Sequence, residues 1–304
     1  FIVYYEGVKC VGYLYVCNTS SDNISVVNTE NFKEEVKIPL QLSKMDRVGP
    51  HGICVYKDKL LVANNYSNTI SIVDIETKEE VDSFFIGMHC NDVVVYEDKA
   101  YVICGDSNHV SVFNLISKTV EEEIPCGNLP HSIDINKQKK IIVVSNFHND
   151  SLTMIDLEDK KNIANLRVGA YPTKVSFTVD GNNILICESN LGSDVKGKVS
   201  VLSLKGFKLL NKILVGKYPI DIYPSSPYCF VTNFGDGSVS IVDINNYKEI
   251  KNINIGGMPR GVFRMGRNVY VTDSYNDLLI SVDIESEDKK VISIGGEPNG
   301  MTYA

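Results

Sequence analysis

"LLVANNYSNTISIVDIETKEEV", residues 60–81, decides the fold. Two apolar runs, rich in Leu, Val and Ile, flank the polar knot Asn-Asn-Tyr-Ser-Asn, and a second knot, Glu-Thr-Lys-Glu-Glu, follows. Locally this reads as strand, turn, strand, turn. The stretch is not unique. It recurs as "LYVCNTSSDNISVVNT" from Leu14, "AYVICGDSNHVSVFNL" from Ala100, "IVVSNFHNDSLTMIDL" from Ile142, "ILICESNLGSDVKGKVSVLSL" from Ile184, "CFVTNFGDGSVSIVDI" from Cys229 and "VYVTDSYNDLLISVDI" from Val269. The Ser or Thr opening each second run (Ser25, Ser71, Ser111, Thr153, Ser200, Ser240, Ser281) recurs at intervals of 46, 40, 42, 47, 40 and 41 residues. Seven units of about 43 residues therefore fill the chain of 304, read as a single domain over 1–304.

Each unit carries four strand signals. Strand a is a short run after Gly and, in most units, Pro ("GPHGICVY", "KYPIDIY", "GMPRGVF"). Strands b and c are the two apolar runs, and their near-continuous Val and Ile mean burial on both faces. Strand d ("KEEVDSFFIG", "KEIKNINIGG") mixes charges with apolar residues, as an outer edge that resists further pairing should. No segment keeps a 3.6-residue period. Four-stranded sheets repeating at this interval predict an all-β, seven-bladed β-propeller. The last strand-a signal, "GEPNGMTYA" at 296–304, has no strand b behind it, and the first unit begins at strand b. The C-terminal strand is thus expected to complete the first blade, which removes two free edges. The leading "FIVYYEG" is surplus to the template.

Composition bounds the function. Net charge is −8, which argues against a broad phosphate-binding face and makes nucleic acid an unlikely partner. No apolar run approaches the roughly 20 residues of a membrane helix. The first ten residues lack a basic n-region and a cleavage site. A cytoplasmic protein is expected, or a periplasmic or surface protein where a leader has been removed. The Lys-, Asn- and Ile-rich texture points to an AT-rich bacterial genome. Eight cysteines are present and none forms C-x-x-C; most sit within strand-like runs and read as free, buried thiols, with Cys10 the exception.

The ends of strand b spell "YVCN" at 15–18, "FVTN" at 230–233 and "YVTD" at 270–273. With G-x-x-P before strand a and "SVSIVDI" after, the whole chain resembles the YVTN-type seven-bladed propeller family. The absence of Trp separates it from the Trp–Asp repeat family. The resemblance implies the fold and leaves function open, since its members include periplasmic and surface-layer repeat proteins, domains of haem or nitrogen-oxide enzymes, and lyase- or lactonase-like hydrolases. The motif residue (Asn18, Asn64, Cys104, Asn146, Glu188, Asn233, Asp273) is expected to open the b–c turn, bonding local backbone and tolerating a left-handed conformation. The unit of Glu188 carries an insertion, "GSDVKGK" (192–198), read as a tolerated insertion or a site-forming loop.

Strand-a segments surround a propeller's channel. The residue after the motif Pro falls at His51, Asn91, His131, Thr173, Ile220, Arg260 and Asn299, and the polar six are the candidate ligand-binding rim. His89 and Cys90 lie beside it, whereas His109 and His148 fall in b–c loops and should be solvated. A wet rim needs no further reason for polar residues. The alternative is a small-ligand or metal site, because imidazole binds metals and Arg pairs with carboxylate or phosphate. His51 and His131 come from blades one apart, so they are expected to face each other through water, against a tight zinc site. No cofactor is expected, and a metal ion at the channel mouth is the one exception the imidazoles allow. There is no G-x-S-x-G, H-E-x-x-H, P-loop, dinucleotide or C-x-x-C-H motif. The recurring aspartates Asp74, Asp156, Asp243 and Asp283 are read as turn residues. The first functional reading is a non-catalytic binding or scaffold propeller that offers its loops and channel mouth to a protein or small ligand. The alternative is a hydrolase or lyase, lactonase-like or virginiamycin-lyase-like, using His51, His131 and Glu297 at the rim.

Overall fold

The structure is a computed structural model describing residues 4–5, 8–9, 12–159 and 161–304, of which 4–5, 8–9 and 161–163 are described in backbone only. Cys10 and most of the leading segment lie outside the described residues; Tyr4–Tyr5 pairs with Val8–Lys9 in a short antiparallel ladder. Seven four-stranded antiparallel sheets make the propeller. Blade I consists of Pro298–Tyr303 (a), Tyr13–Asn18 (b), Asn23–Asn28 (c) and Lys33–Pro39 (d). Blades II to VII begin with their a strands at Pro50–Tyr56, Cys90–Tyr96, Pro130–Asn136, Pro172–Phe177, Pro219–Ser225 and Pro259–Met265. The C-terminal strand is thus the innermost strand of the first blade. It pairs Leu14 with Tyr303 and Val16 with Met301, and Tyr13 N donates to Ala304 O at 2.8 Å.

Strands b and c are buried on both faces, as their apolar runs require. Leu60, Leu61, Val62 and Ala63 are all 0 % exposed. The core lies between neighbouring sheets, and one cluster joins Leu61, Ala63 and Ile70 of blade II to Val93, Val102 and Phe113 of blade III. Each such side chain contributes roughly 1.5–3 kcal/mol on burial. The d strands are largely exposed.

The motif residue has a different task from the one expected of it. Asn18, Asn64, Asn146 and Asn233 are the last residues of strand b, in extended conformation. Each points its amide at strand c of its own blade. Asn64 Nδ2 donates to Thr69 Oγ1 at 2.9 Å and Ser71 Oγ at 2.7 Å, and Asn233 Nδ2 donates to Ser238 Oγ and Ser240 Oγ at 3.0 and 2.8 Å. In these four blades the recurring Ser or Thr of strand c (Ser25, Ser71, Thr153, Ser240) receives this bond, whereas in blade VII the residue seven on from Asp273 is Ile280 and Ser281 lies opposite Tyr270. The left-handed position falls four residues later, at Asp22, Asn68, Asn108, Asp150, Gly237 and Asp277. There a short polar side chain is useful for another reason, because it holds the link to the next blade. Asn68 Oδ1 accepts from His89 N at 2.7 Å, Asn108 Oδ1 from Leu129 N at 2.8 Å and Asp150 Oδ1 from Tyr171 N at 3.0 Å. The Gly before strand a is explained by the same corner: a Cβ on Gly127 or Gly216 would sit 2.7 or 2.6 Å from the Cγ of Asn146 or Asn233.

The aspartates ending strand c are turn residues as expected; Asp243 Oδ1 accepts from the amides of Asn245 and Asn246 at 2.9 Å each. The cysteines described are free. His148 is exposed, but His109 is not the solvated loop residue expected. It opens strand c of blade III with 13 % of its side chain exposed, and its Nε2 lies 3.0 Å from Ser111 Oγ. Among the described residues no helix is long and apolar enough to cross a membrane.

Candidate functional site

All seven a strands begin with a register irregularity at or just after the motif Pro or its counterpart. A bulge there sets two successive residues against one on the partner strand, so alternation is broken and both can face the same side. The channel is accordingly lined by two tiers. The upper holds His51, Asn91, His131, Thr173, Ile220, Arg260 and Asn299. The lower, one residue further on, holds Asp92, Lys174, Asp221 and Ser132, with glycines completing it. The glycines mark close approach between neighbouring strands: a Cβ on Gly300 would lie 2.4 Å from the carbonyl oxygen of His51.

The upper tier divides by what its polar atoms already do. Asn91 is buried and accepts from Asn65 Nδ2 at 2.6 Å. Thr173 donates its hydroxyl to Pro219 O at 2.7 Å, across to the next blade. These two residues fasten blades together. The histidines are oriented by backbone. His51 Nδ1 lies 2.8 Å from Asn91 O, and His131 Nδ1 lies 2.7 Å from Thr173 O. A carbonyl only accepts, so each Nδ1 carries the proton and each Nε2 is left with its lone pair. The rings meet edge to face with centroids 6.4 Å apart, closer than the water-separated arrangement expected from their blades. Burial, and then the neighbouring His131 and Arg260, push His51 down to about 3. Burial also lowers His131, against the pull of its bond to Thr173 O. Both rings are neutral at physiological pH.

Arg260 differs from the rest. Its guanidinium lies over the ring of Phe234, 5.5 Å from the centroid. Burial lowers its pKa, with Glu297 pulling the other way, but a guanidinium stays charged at neutral pH. Among the described residues the guanidinium has no hydrogen-bond or ion-pair partner, so its donor fork faces the channel unused.

The lower tier is a charge network that single-residue reading of each strand missed. Lys174 Nζ lies 3.2 Å from Asp92 Oδ2 and 3.7 Å from Asp221 Oδ1. Burial alone would lower the ammonium's pKa, but Asp92, Asp221 and Asp134 outweigh it and raise it. Burial raises Asp221 and Asp134, Lys174 opposing in both. The Asp92 and Asp221 carboxylates also reach backbone: Asp92 Oδ1 accepts from Val93 N at 3.0 Å, and Asp221 Oδ2 accepts from Val262 N at 3.0 Å.

The space above this floor is about 100 Å³, enough for a few waters or one small polar group. It shares His51, Arg260 and Asn299 with an outer mouth of about 320 Å³, lined further by Tyr66, His89 and Glu297. Among the described residues no group of three or more His, Cys, Asp or Glu gathers to hold a metal ion. The insertion at 192–198 folds toward the neighbouring link, where Lys217 Nζ pairs with Asp194 Oδ1 at 2.5 Å and Tyr218 Oη donates to Ser193 O at 3.0 Å.

The architecture defines a seven-bladed β-propeller with a polar channel mouth. No family model and no curated protein matches the sequence. Solved structures do. Hydrazine synthase from Kuenenia stuttgartiensis is similar at 17 % identity, over 93 % of this chain and 92 % of that one, with a TM-score of 0.72. A functionally unknown protein from Desulfotomaculum acetoxidans DSM 771 is 14 % identical over 96 % and 98 % of the two chains, with a TM-score of 0.79. Apo AztD from Citrobacter koseri is 11 % identical over 97 % and 98 %, with a TM-score of 0.64. At these identities the likeness is one of fold alone.

Proposed function

We propose that this chain is a non-catalytic binding propeller of the YVTN type whose channel mouth receives a small anionic ligand. The observation that carries the reading is Arg260, a charged fork on the cavity wall that no protein group occupies. A planar carboxylate or a phosphate fits such a fork bidentately. The two Nε2 lone pairs of His51 and His131 complement it from across the cavity, since they accept hydrogen bonds. A small carboxylate or phosphate that also bears hydroxyl or amine donors satisfies both sets. The outer mouth has room for its remainder, and Lys174 with Asp92 and Asp221 lies beneath it.

Catalysis is less well supported. A general base works best with a pKa near the operating pH, and His51 at about 3 is far below it. A scaffold reading places the partner on the b–c loops, first the insertion at 192–198.

Isothermal titration against a panel of hydroxy- and amino-carboxylates and phosphorylated sugars tests the proposal. At least one member should bind the wild-type chain, and Arg260→Gln should weaken that binding by 100-fold or so, the order expected for a lost charge-assisted pair of about 2–3 kcal/mol. The Arg260 side chain only stacks on Phe234, so the variant should fold. Unchanged affinity in Arg260→Gln would overturn the reading, as would a protein partner lost on replacing 192–198 but retained in Arg260→Gln. Binding of a divalent metal alone, abolished by His51→Asn and His131→Asn but not by Arg260→Gln, would replace the anion with an ion.

A further inference from the structure

The seven repeats provide an internal comparison at one cross-strand position. The first residue of strand a pairs with the last residue of strand b in every blade. The pairs are Pro298 with Asn18, Pro50 with Asn64, Pro130 with Asn146, Pro172 with Glu188, Pro219 with Asn233 and Pro259 with Asp273. Six blades therefore set Pro opposite an amide or carboxylate. Blade III alone sets Cys90 opposite Cys104. Both partners are replaced, in the same blade, by the same residue type.

A third replacement accompanies them. In blades I, II, IV and VI strand c faces the motif residue with a small polar side chain (Asn23, Thr69, Ser151, Ser238), whereas blade V has Lys198, blade VII Leu278 and blade III His109. Ser111 Oγ joins the group, 3.3 Å from Cys104 Sγ and 3.0 Å from His109 Nε2. Cys90 Sγ reaches Gly87 O at 3.2 Å, directly across the strands from Cys104. The facing thiol and the imidazole bring Cys104 down to about 5 against its burial, while Cys90 and His109 move up. Glu123, 3.8 Å from His109 Nε2, adds a carboxylate on the outer side. The other buried thiols, Cys17, Cys54, Cys187 and Cys229, are raised by burial instead.

We infer that Cys90 and Cys104, both fully buried in the closed fold, are a thiol modification site that local opening of this corner exposes to low-molecular-weight disulfides, which oxidise it to a cross-strand disulfide with His109 as the proton-handling partner. Cα atoms paired across antiparallel strands lie about 4.5–5.5 Å apart. A disulfide spans about 4.4–6.8 Å, so the bridge forms without moving the strands. The Cys104 thiolate attacks one sulfur of the reagent RSSR, giving a Cys104–S–SR mixed disulfide and releasing RS⁻. His109 gives the proton it holds beside Cys104 to that RS⁻, and the Cys90 sulfur then attacks the Cys104 sulfur as its own proton passes to the departing second RS⁻. The second RS⁻ leaves, and the protons displaced from the two thiols end on the two RS⁻ groups. Two thiols are oxidised to one disulfide and RSSR is reduced to two RSH. The site adjoins the channel, because Asn91, next to Cys90, supplies the carbonyl that orients His51.

The repeat supplies variants that should fold, since each restores what other blades carry. The full chain is incubated with oxidised and reduced glutathione at fixed ratio, acid-quenched, differentially alkylated and mapped by mass spectrometry. Wild type should yield one internal disulfide, Cys90–Cys104, while Cys17, Cys54, Cys187 and Cys229 stay reduced. Cys90→Pro should stop at a glutathione adduct on Cys104, Cys104→Asn should leave Cys90 unmodified, and His109→Thr should slow the reaction about tenfold as the thiolate is lost. The inference is overturned if Cys90 and Cys104 stay reduced alongside the other buried thiols, if all thiols oxidise together, or if Cys90→Pro takes up no glutathione.

Discussion

Replacing Lys174 by Met removes the one cation from the channel floor while keeping the length of the side chain. The two attractions lost, at 3.2 and 3.7 Å, are each roughly 4–5 kcal/mol at an effective dielectric constant of about 20. Most of this is offset by the desolvation the ammonium no longer suffers. What remains is the penalty of leaving Asp92 and Asp221 uncompensated, about 3–5 kcal/mol for a broken buried pair. Lys174 keeps 29 % of its side chain exposed to the channel, so the lower end, about 3 kcal/mol, is expected. That corresponds to a melting point lower by about 6 °C in a chain of this size. The pH dependence is the sharper reading. Asp221 and Asp134 are already raised by burial, and Lys174 opposes that rise. Without it their folded pKa values climb further above the unfolded ones. The folded state then holds protons the unfolded state releases, so the variant's stability is greatest at low pH and falls as pH rises through the folded pKa. The deficit against wild type should therefore be small at pH 5 and complete at pH 8. Urea unfolding followed by circular dichroism, suited to a chain without Trp, measures both. An equal deficit at the two pH values, or none at pH 8, would refute the network as the cause.

Removing residues 296–304 takes away the inner strand of blade I and should lower the melting temperature drastically or leave the chain open to proteolysis; a truncated chain melting with wild type would contradict the closure. Asn64→Ala strips the donor from Thr69 and Ser71 inside blade II and should cost about 1–3 kcal/mol in chemical unfolding. His51→Asn bears on acid stability. The folded state holds His51 neutral down to about pH 3, whereas the unfolded chain takes the proton near pH 6.5. Its contribution is therefore present above pH 6.5 and lost below it, about 2 kcal/mol by pH 5, so His51→Asn should flatten the stability profile between pH 7 and pH 5. An unchanged slope would show that His51 is not held neutral.

The blades were legible because a strand buried on both faces must be apolar throughout, and runs such as "LLVAN" and "ISIVD" can serve little else. Closure was legible because the template left one a strand over. The upper tier of the channel could be placed from the Pro before it. Lys174 could not, because a regular strand would turn the residue after Thr173 away from the channel, and the bulge that turns it inward has no residue signature here. The motif Asn was read as a turn former because that is how Asn behaves in isolation; its amide instead serves hydroxyls seven residues on, a partnership that only the b–c register reveals. The same holds for His109. Its polarity places it in a loop, but the boundary between turn and strand c falls one residue earlier than that polarity suggests.

The pairing of Tyr13 with Ala304 gives the chain no topological beginning. The two residues exchange backbone hydrogen bonds, Tyr13 N to Ala304 O at 2.8 Å and Ala304 N to Tyr13 O at 3.1 Å. A peptide linker of a few residues could therefore splice them, and the cut could be moved to an exposed d–a link elsewhere in the ring. Every blade would then be built from consecutive residues, because a cut between strand d and the next strand a falls between blades and leaves none composite. Such rearranged chains would separate what belongs to the ring from what belongs to the order of synthesis. The channel floor, drawn from blades III, V and VI, should be indifferent to the choice.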